Sequence, residues 1–358
     1  MTSTISAPDA DLNSTMSSLP VGWNLSDLHK VKKRNVKVFS TFSCGGGSTM
    51  GYKLAGCKMV GCLEIDEKIM EIYKENHSPE HSFRMAIQDF NKLDDESLPK
   101  ELYELDILDG SPPCSVFSMA GKREKKWGQE HYFREGQEIQ KLDDLFFHFI
   151  DTVKRFKPKI AIAENVTGLV KGNAKGYVKE IFTGFRNAGY DVQLFQLNAA
   201  TMSVPQARRR VFFIARRKDL GLPPIQLSFK DKPRNYFDMI AGINDLGKRK
   251  PLTRLLTQYW RSTKIGDNCS RHHPKGHFFS TYKINPYLPL PTVTAGNKTH
   301  TLWDIPSYFT DKELIRAQTF PDDFNFLKQD VQYVTGMSVP PYMIKKLADK
   351  LIDFWKLG

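Results

Sequence analysis

Short apolar runs and longer amphipathic stretches alternate along the chain up to about residue 217. The apolar runs that predict strands lie at residues 36–42, 59–65, 101–109, 159–163, 191–197 and 211–215, with a possible further strand at residues 85–88. Between them, apolar residues three and four positions apart predict helices to about Ala55, over residues 68–76, from Gln137 to just before Pro158, and over about residues 174–188. Strands that alternate with helices predict an α/β fold with a parallel, doubly wound sheet.

The pattern after Arg217 differs and predicts a second, smaller module. Prolines recur there at positions 223, 224, 233 and 251, and no long periodic segment is seen before Thr310. Thr310 and Glu313 form a capping-box pattern that opens a helix, and residues 341–355 predict a last amphipathic helix. The predicted division is a disordered tail over residues 1–33, a first domain over 34–217, a second over 218–326, and a segment over 327–358 that returns to the first.

Composition limits the classes of protein to consider. Of the 358 residues, 40% are hydrophobic and 26% are charged, and no apolar run approaches the roughly 20 residues of a membrane span. We therefore expect a soluble protein with no membrane partner. The chain has no basic start followed by an apolar segment, and its five cysteines are odd in number and lack CxxC pairs, so we expect reduced thiols in a cytoplasm.

The net charge of +12 favours a polyanionic partner. Basic residues cluster at 30–34, 122–126, 208–218 and 248–254, and four such clusters in one chain make nucleic acid the leading partner. Cys269, His272, His273 and His277 are candidate metal ligands. No second ligand pair flanks them, so no bound metal is expected.

Cys114 is the residue whose setting most suggests chemistry. It follows Ser111, Pro112 and Pro113 at the end of a predicted strand, and two consecutive prolines leave this loop little freedom. A lone cysteine is more often a small core residue, so the interpretation depends on its neighbours. Glu164, at the end of another predicted strand, is a second candidate, and a solvated loop acid is the equal alternative there.

A strand, a glycine turn and a helix follow one another at residues 36–55. Gly45, Gly46 and Gly47 would let backbone amides and the helix N-terminus approach a ligand closely. Glu64 lies about 20 residues further on, where related nucleotide-binding folds carry the acid that holds ribose hydroxyls. A plain tight turn would explain the glycines equally well, but turn and acid together favour a nucleotide-like cofactor.

Taken together, the motifs from residue 36 to 356 resemble those of the DNA cytosine-carbon-5 methyltransferases, especially the bacterial restriction-modification enzymes. FSCGGG at residues 42–47 is similar to the family's cofactor loop, SPPC at 111–114 to its catalytic loop, and ENV at 164–166 to its ENV motif. QARRR at 206–210, the segment 310–321 and GMSVP at 336–340 resemble three later motifs in the same order.

The resemblance implies a doubly wound, Rossmann-like methyltransferase sheet with a second, smaller target-recognition domain, and S-adenosylmethionine as the cofactor. Glu64 is similar to the family's ribose acid, and Asp89 to its adenine-contacting acid. The implied cofactor-binding residues are Phe42, Ser43, Cys44, Gly45, Gly46, Gly47, Glu64, Ile65, Asp89, Phe90, Pro113, Met337 and Ser338. The implied catalytic residues are Cys114, Glu164, Arg208 and Arg210.

The chemistry explains why these residue types occur together. Carbon-5 of cytosine attacks a sulfonium methyl group only after the ring has become electron-rich, and a Cys114 thiolate that adds to carbon-6 achieves this. Glu164 can supply a proton toward ring nitrogen 3 if burial raises its pKa. Arg208 and Arg210 would share one face of a strand and orient the base and its phosphate. The base must leave the duplex, and residues 121–136 are a candidate clamp.

Three positions depart from the family pattern. Ser40 stands in place of an acid, Cys44 in place of a glycine and Met337 in place of an asparagine. All three would face the cofactor, so we expect weaker cofactor binding rather than a different reaction.

The implied function is methyl transfer to carbon-5 of a flipped-out cytosine in a specific double-stranded DNA sequence. The implied enzyme is a monomer in a bacterial cytoplasm, with a restriction endonuclease that acts separately. One alternative is a tRNA cytosine-5 methyltransferase of the same fold, which would need no specificity module as long as residues 218–305. The other is a non-catalytic DNA-binding relative, which the intact Cys114, Glu164 and Arg210 argue against.

Overall fold

The computed structural model describes residues 19–113, 130–131, 140–141, 144–170, 175–276, 280–296 and 298–358. Its strands are β1 (Lys37–Thr41), β2 (Lys58–Leu63), β3 (His81–Phe83), β4 (Ile107–Gly110), β5 (Glu130–His131), β6 (Gln140–Lys141), β7 (Ile160–Val166), β8 (Tyr190–Asn198), β9 (Arg209–Arg217), β10 (Tyr282–Lys283) and β11 (His300–Thr301). Its α-helices are α1 (Gly47–Leu54), α2 (Glu67–His77), α3 (Ile87–Phe90), α4 (Leu145–Phe156), α5 (Lys175–Asn187), α6 (Tyr236–Ile240), α7 (Arg254–Ser262), α8 (Asp311–Ala317), α9 (Val331–Met337) and α10 (Pro341–Trp355). Short 3-10 helices cover Leu25–Lys30, Asp95–Ser97, Lys100–Glu104, Thr167–Val170, Ala199–Thr201, Lys218–Leu220 and Cys269–His272.

Seven strands form one sheet in the order β3-β2-β1-β4-β7-β9-β8. The predicted doubly wound α/β fold is confirmed, but a wholly parallel sheet is wrong, because β9 runs antiparallel to both β7 and β8. Only residues 199–208 separate β8 from β9, which is too short for the helical crossover that a parallel neighbour requires. The chain order reverses between β1 and β4, where doubly wound sheets bind ligands at the carboxyl ends of the strands.

Each face of the sheet packs against helices. Successive residues of β7 alternate between the two cores, as a strand buried on both faces requires. Ile160 and Ile162 join the core that contains α1 and α10, whereas Ala161 and Ala163 join the core that contains α4 and α5. Helices on both faces therefore hold the carboxyl ends of the central strands, where such sheets bind ligands.

The predicted strand at residues 85–88 is wrong. The edge strand is β3, which pairs with β2 through residues 81–83, while residues 87–90 form the short helix α3. Ile87 and Phe90 are the buried members of that helix, and their spacing of three is helical rather than alternating. The edge strand escaped prediction because its three residues are only partly buried and carry no apolar run.

Two other predicted bounds need correction. Residues 100–104 form a 3-10 helix, so the strand that leads to Cys114 begins at Ile107 and not at Glu101. Gln140 and Lys141 pair with residues 130–131 in a small hairpin, so the following helix begins at Leu145 rather than at Gln137. The helices predicted over 174–188 and 341–355 are confirmed as α5 and α10.

Residues 19–33 are folded, so the prediction of a disordered tail is wrong for this part of residues 1–33; residues 1–18 lie outside the described residues. Trp23 is 4% exposed, and its indole Nε1 donates to the Thr319 carbonyl at 3.0 Å. The Leu25 amide donates to Asp323 at 2.8 Å. The polar composition of this segment suggested disorder, whereas its tryptophan was the residue that indicated a folded structure.

A second, smaller core lies within residues 236–317. Its members are Tyr236, Met239, Ile284, Leu290, Val293, Leu302, Phe309, Leu314 and Ala317. Ile225 and Phe320 pack in a core of the large sheet instead, although both fall within the predicted second domain. The capping box at Thr310 and Glu313 is confirmed at the start of α8. Helix α7 was not predicted, because Trp260 is its one buried residue.

Candidate active site and cofactor pocket

A pocket opens at the carboxyl ends of β1 and β2, beside the glycine turn. Nine of the predicted cofactor residues line it: Phe42, Ser43, Cys44, Gly47, Glu64, Ile65, Pro113, Met337 and Ser338. They come from four separate segments of the sequence, which the sheet and helix α9 bring to one place. The predicted grouping of these nine residues therefore agrees with the structure.

Glu64 is held rigidly at the wall of this pocket. Its Oε2 accepts the Cys44 amide at 2.8 Å, and its Oε1 accepts the amides of Ile65 and Asp66 at 3.0 and 3.1 Å. Burial raises the pKa of the carboxyl group, whereas these backbone bonds oppose the rise. Two carboxylate oxygens offer about four acceptor positions, so at least one remains for a ligand hydroxyl.

The glycine turn leaves no room for side chains at two positions. Gly46 has φ +81°, and a Cβ on Gly47 would lie 2.2 Å from the Val339 carbonyl oxygen. Cys44 also adopts a left-handed φ of +47°, which a residue with a Cβ enters at a cost. Its Sγ lies 3.6 Å from the Ser338 Oγ inside the pocket. The departure from glycine at Cys44 thus changes the pocket wall itself.

Asp89 and Phe90 are not brought to this pocket, which corrects two predicted cofactor residues. The Asp89 carboxylate is 60% exposed and pairs with Lys92 at 3.1 Å, and Phe90 is fully buried in the core of the sheet. The wall at this point is formed by Met85, Ala86 and Ile87. The error follows from the mistaken strand, because the turn of α3 directs residue 89 to solvent.

The loop that leads to Cys114 is anchored by the neighbouring strand. Cys114 itself and most of the predicted clamp at residues 121–136 lie outside the described residues. Gly110, the last residue of β4, is the neighbour of Ala163 in β7, so the loop leaves the sheet beside the last three residues of β7. Asn165 donates from Nδ2 to the Pro112 carbonyl at 3.0 Å, a buried bond that fixes the loop two residues before Cys114.

Glu164 and Arg210 form an ion pair next to this loop. The distance from Arg210 Nε to Glu164 Oε1 is 2.9 Å, and both side chains are largely buried. Burial lowers the pKa of Arg210, and the negative charge of Glu164 opposes this. Charge-assisted hydrogen bonds of this kind fix the orientation of a carboxyl group. The pairing of Glu164 with Arg210 was not predicted, and it brings two of the predicted catalytic residues together.

Arg208 has a different environment from the predicted one. Its guanidinium is buried and donates to the Val293 carbonyl at 2.8 Å and to the Gly336 carbonyl at 3.0 Å. The prediction that Arg208 and Arg210 share one face requires both residues to lie in a strand. Strand β9 begins at Arg209, so Arg208 lies outside it. Arg208 joins the second core and α9 to the sheet, and we reassign it from a catalytic to a positioning residue.

Two glutamines extend this junction, although neither side chain was assigned a role in the sequence analysis. Gln206 accepts the Val293 amide at 2.9 Å and donates to the Gln318 side-chain oxygen at 2.7 Å. Gln318 in turn donates to the Ser338 carbonyl at 2.6 Å. The chain of bonds ends in the pocket wall, so the late motifs hold the two modules and the pocket in register.

Asp109 is a buried acid that sequence reasoning missed. Its carboxyl group accepts the Tyr52 hydroxyl at 3.0 Å and the Ser40 hydroxyl at 3.1 Å. Ser40 and Asp109 are register partners on β1 and β4, so the acid absent from position 40 is present on the adjacent strand. Burial raises the pKa of Asp109 to about 7, against the effect of these hydrogen bonds. An acid within an apolar strand was the available signal.

Comparison with known proteins decides the family. The sequence model of the C-5 cytosine-specific DNA methylase family matches residues 36–353. The chain belongs to this family. As a C-5 cytosine-specific DNA methylase it transfers methyl groups to DNA cytosine, and the family implies S-adenosylmethionine as the methyl donor. Among the described residues, no helix is long and apolar enough to cross a membrane.

Several relatives of this DNA methylase match almost end to end. The Type II methyltransferase M.FnuDI of Fusobacterium nucleatum is 31% identical over 357 residues, which span 90% of this chain and 97% of that protein. M.NgoPII of Neisseria gonorrhoeae is 29% identical over 353 residues, spanning 87% and 94%. The crystal structure of a DNA modification methyltransferase encoded within an E. coli prophage has a TM-score of 0.69 at 19% identity, covering 90% of this chain and 100% of that one. It shares the fold.

Proposed function

We propose that the pocket at β1 and β2 binds S-adenosylmethionine and that Cys114, Glu164 and Arg210 act on a cytosine flipped out of double-stranded DNA. The observation that carries the proposal is the buried bond from Asn165 to the Pro112 carbonyl. It couples the strand end that bears Glu164 to the loop that bears Cys114. Pro113, which directly precedes Cys114 in the sequence, also lines the proposed cofactor pocket, so the chain that leads to the nucleophile contacts both the strand of the acid and the cofactor site.

The pocket residues fit this cofactor. Glu64 presents a carboxylate whose orientation is fixed by three backbone amides, as a ribose diol requires. Gly47 lets the Val339 backbone approach the glycine turn closely, and Phe42 and Ile65 supply apolar wall. When bound, S-adenosylmethionine supplies an electrophilic sulfonium methyl group.

The protein groups then have distinct tasks. The Cys114 thiolate forms a bond to carbon-6, and the electron pair of the carbon-5,6 double bond becomes available at carbon-5. Glu164 places a proton at ring nitrogen 3, and Arg210 fixes the direction of the carboxyl group. After carbon-5 has taken the methyl group, a base such as water removes the carbon-5 proton. The electron pair of that bond re-forms the carbon-5,6 double bond and expels the Cys114 thiolate, while the nitrogen-3 proton returns to Glu164.

The decisive test is covalent trapping. Duplex DNA with 5-fluorocytosine at the target position should give a denaturation-resistant adduct, because fluorine cannot leave as a proton does. Cys114→Ser should give none while it keeps the wild-type thermal midpoint, since a hydroxyl is far harder to ionise than a thiol. The same duplex with ordinary cytosine is the control. Adduct formation by the serine variant would remove Cys114 from the reaction.

We further propose that residues 218–305 select the DNA sequence. The exposed Arg254 and Arg261 of α7 have no carboxylate partner among the described residues, which suits contact with phosphates. A hybrid that carries this segment from a relative should methylate a different site and remain active. An active hybrid with an unchanged site would contradict the assignment.

The remaining proposals rest on the relatives alone. Since these are Type II methyltransferases of bacteria, we propose a monomer in a bacterial cytoplasm, with a separate restriction endonuclease that cuts the same site.

A further inference from the structure

A second cavity, of about 580 Å³, lies behind the glycine turn, away from the cofactor pocket. Its walls come from the ends of α1 and α2, the start of β2, and Leu28, His29, Lys33 and Arg34. These four residues precede residue 36, where the family match begins, so this part of the wall lies outside the matched range. His77 stands between the two pockets, with its Nε2 3.3 Å from the Gly45 carbonyl oxygen.

The cavity wall is strongly basic. Lys33, Arg34, Lys53 and Lys58 line it, and Glu80 is the one acid among the described lining residues. The sequence cluster at residues 30–34 thus supplies two of the four cations. A recessed basic wall of this kind attracts a small anion that can enter it, whereas a duplex needs a ridge or an open groove.

Two of these cations pair with carboxylates. Arg34 pairs with Asp353 at 2.7 Å, and Lys58 pairs with Glu80 at 3.4 Å.

In contrast, Lys33 and Lys53 donate to the carbonyls of Leu28 and His77 at 3.2 and 3.0 Å and have no carboxylate partner among the described residues. Burial, together with the charge of Lys33, lowers the pKa of Lys53 to about 8. Two ammonium groups therefore repel each other across one space.

His77 adds an unused acceptor to the same wall. The side chain is 6% exposed, and burial lowers its pKa to about 3, so the imidazole is neutral. Since Nε2 faces the Gly45 carbonyl, the proton belongs there and Nδ1 keeps a lone pair. That Nδ1 is buried without a hydrogen-bond partner. A lone pair of this kind calls for a hydroxyl donor, and Tyr73 and Met59 provide apolar surface beside it.

From this arrangement we propose that the cavity binds a small phosphate ester that carries hydroxyl groups. The phosphate lies between the ammonium groups of Lys33 and Lys53, and a hydroxyl donates to His77 Nδ1. A volume of about 580 Å³ falls in the range of ligand sites and exceeds what inorganic phosphate alone would fill. The site is separate from the proposed methyl-transfer chemistry.

Ribose 5-phosphate is the probe that tests this proposal. Calorimetric titration into the full-length protein at low salt should give saturable binding at one site, at least tenfold tighter than for ribose without phosphate or for inorganic phosphate. Lys33→Gln with Lys53→Gln should weaken binding at least tenfold. Lys53→Arg in place of Lys53→Gln should restore much of the affinity, because the charge returns.

The matched control is Lys30→Gln with Lys32→Gln. These two lysines belong to the same basic segment but do not line the cavity, and the pair of changes removes the same charge. The control should bind within twofold of wild type. Equal losses in both double variants would reduce the effect to diffuse charge and overturn the site.

Two further outcomes would also overturn it. Displacement of ribose 5-phosphate by S-adenosylhomocysteine would place the ligand in the cofactor pocket. Loss of DNA retention by the Lys33 and Lys53 variant, with no heat from ribose 5-phosphate in wild type, would assign these lysines to the DNA backbone. Neither result depends on methyl-transfer activity, so failure here is distinct from failure of the proposed function.

Discussion

Replacement of Asp109 by asparagine should remove a large pH dependence of stability. Burial raises the pKa of Asp109 to about 7, from an ordinary value of 3.8. Each pH unit of difference between folded and unfolded pKa is worth about 1.4 kcal/mol, so ionisation in the folded state costs about 4 kcal/mol above pH 7. The side chain is 2% exposed, so solvent screening takes little from this figure.

The sign follows from where the proton is held more tightly. Below about pH 4 both states are protonated and Asp109 has no effect on stability. Between about pH 4 and 7 the unfolded state loses its proton first, so stability falls as pH rises, and the loss is complete above about pH 7. From about pH 5.5 to about pH 8, this one group should remove about 2 kcal/mol from the free energy of unfolding.

Asp109→Asn keeps the neutral shape and both hydrogen bonds. Its amide oxygen can accept from the Tyr52 hydroxyl, and its NH2 group can donate to the Ser40 oxygen. Urea unfolding at both pH values should therefore show a smaller decrease for the variant, by about 2 kcal/mol. Asp89→Asn, at an exposed carboxylate, is the control and should behave as wild type. Equal decreases in Asp109→Asn and wild type would refute a protonated native carboxyl group.

The other predictions concern the site and the second core. Glu164→Gln should lower single-turnover methylation on the order of 100-fold with DNA affinity within about threefold, and an unchanged rate would leave Glu164 a structural role. Arg249→Met should destabilise the fold by about 3 kcal/mol in urea unfolding, because Glu313 is fully buried and loses its bidentate partner; a loss below about 1 kcal/mol would contradict this. Cys44→Gly with Met337→Asn should tighten S-adenosylmethionine about tenfold by calorimetry, since glycine suits the φ of +47°. Equal affinities would mean that the pocket has adapted to both residues.

Sequence patterns identified the elements whose periodicity is strong. Helices α5 and α10 and the glycine turn were predicted close to their observed bounds, because each buries a continuous stripe or follows a strand directly. The direction of β9 was not, since strand direction is set by the length of the preceding link and not by the strand residues. Edge strand β3 was missed because a half-buried strand of three residues has no run of apolar positions that would predict it.

The site residues also divide into those whose positions follow from local sequence and those that depend on distant contacts. Glu64 and Cys44 lie together at the pocket, as the sequence predicts, because a strand end and its turn fix both positions locally. Asp89 was wrongly assigned to the pocket, because the strand predicted at residues 85–88 does not form. Ala86 lines the pocket wall instead. Arg208 and Asn165 act through carbonyl groups far along the chain, and no spacing in the sequence reports which carbonyl a side chain will reach.

We propose that this chain methylates carbon-5 of cytosine through Cys114. Bisulfite sequencing of plasmid DNA from cells that express the chain is the direct test, beside the same plasmid with Cys114→Ser. We expect cytosines that resist conversion at one short recurring sequence with the wild-type chain, and complete conversion with the variant. Complete conversion in both, or the same resistant sites in both, would contradict it.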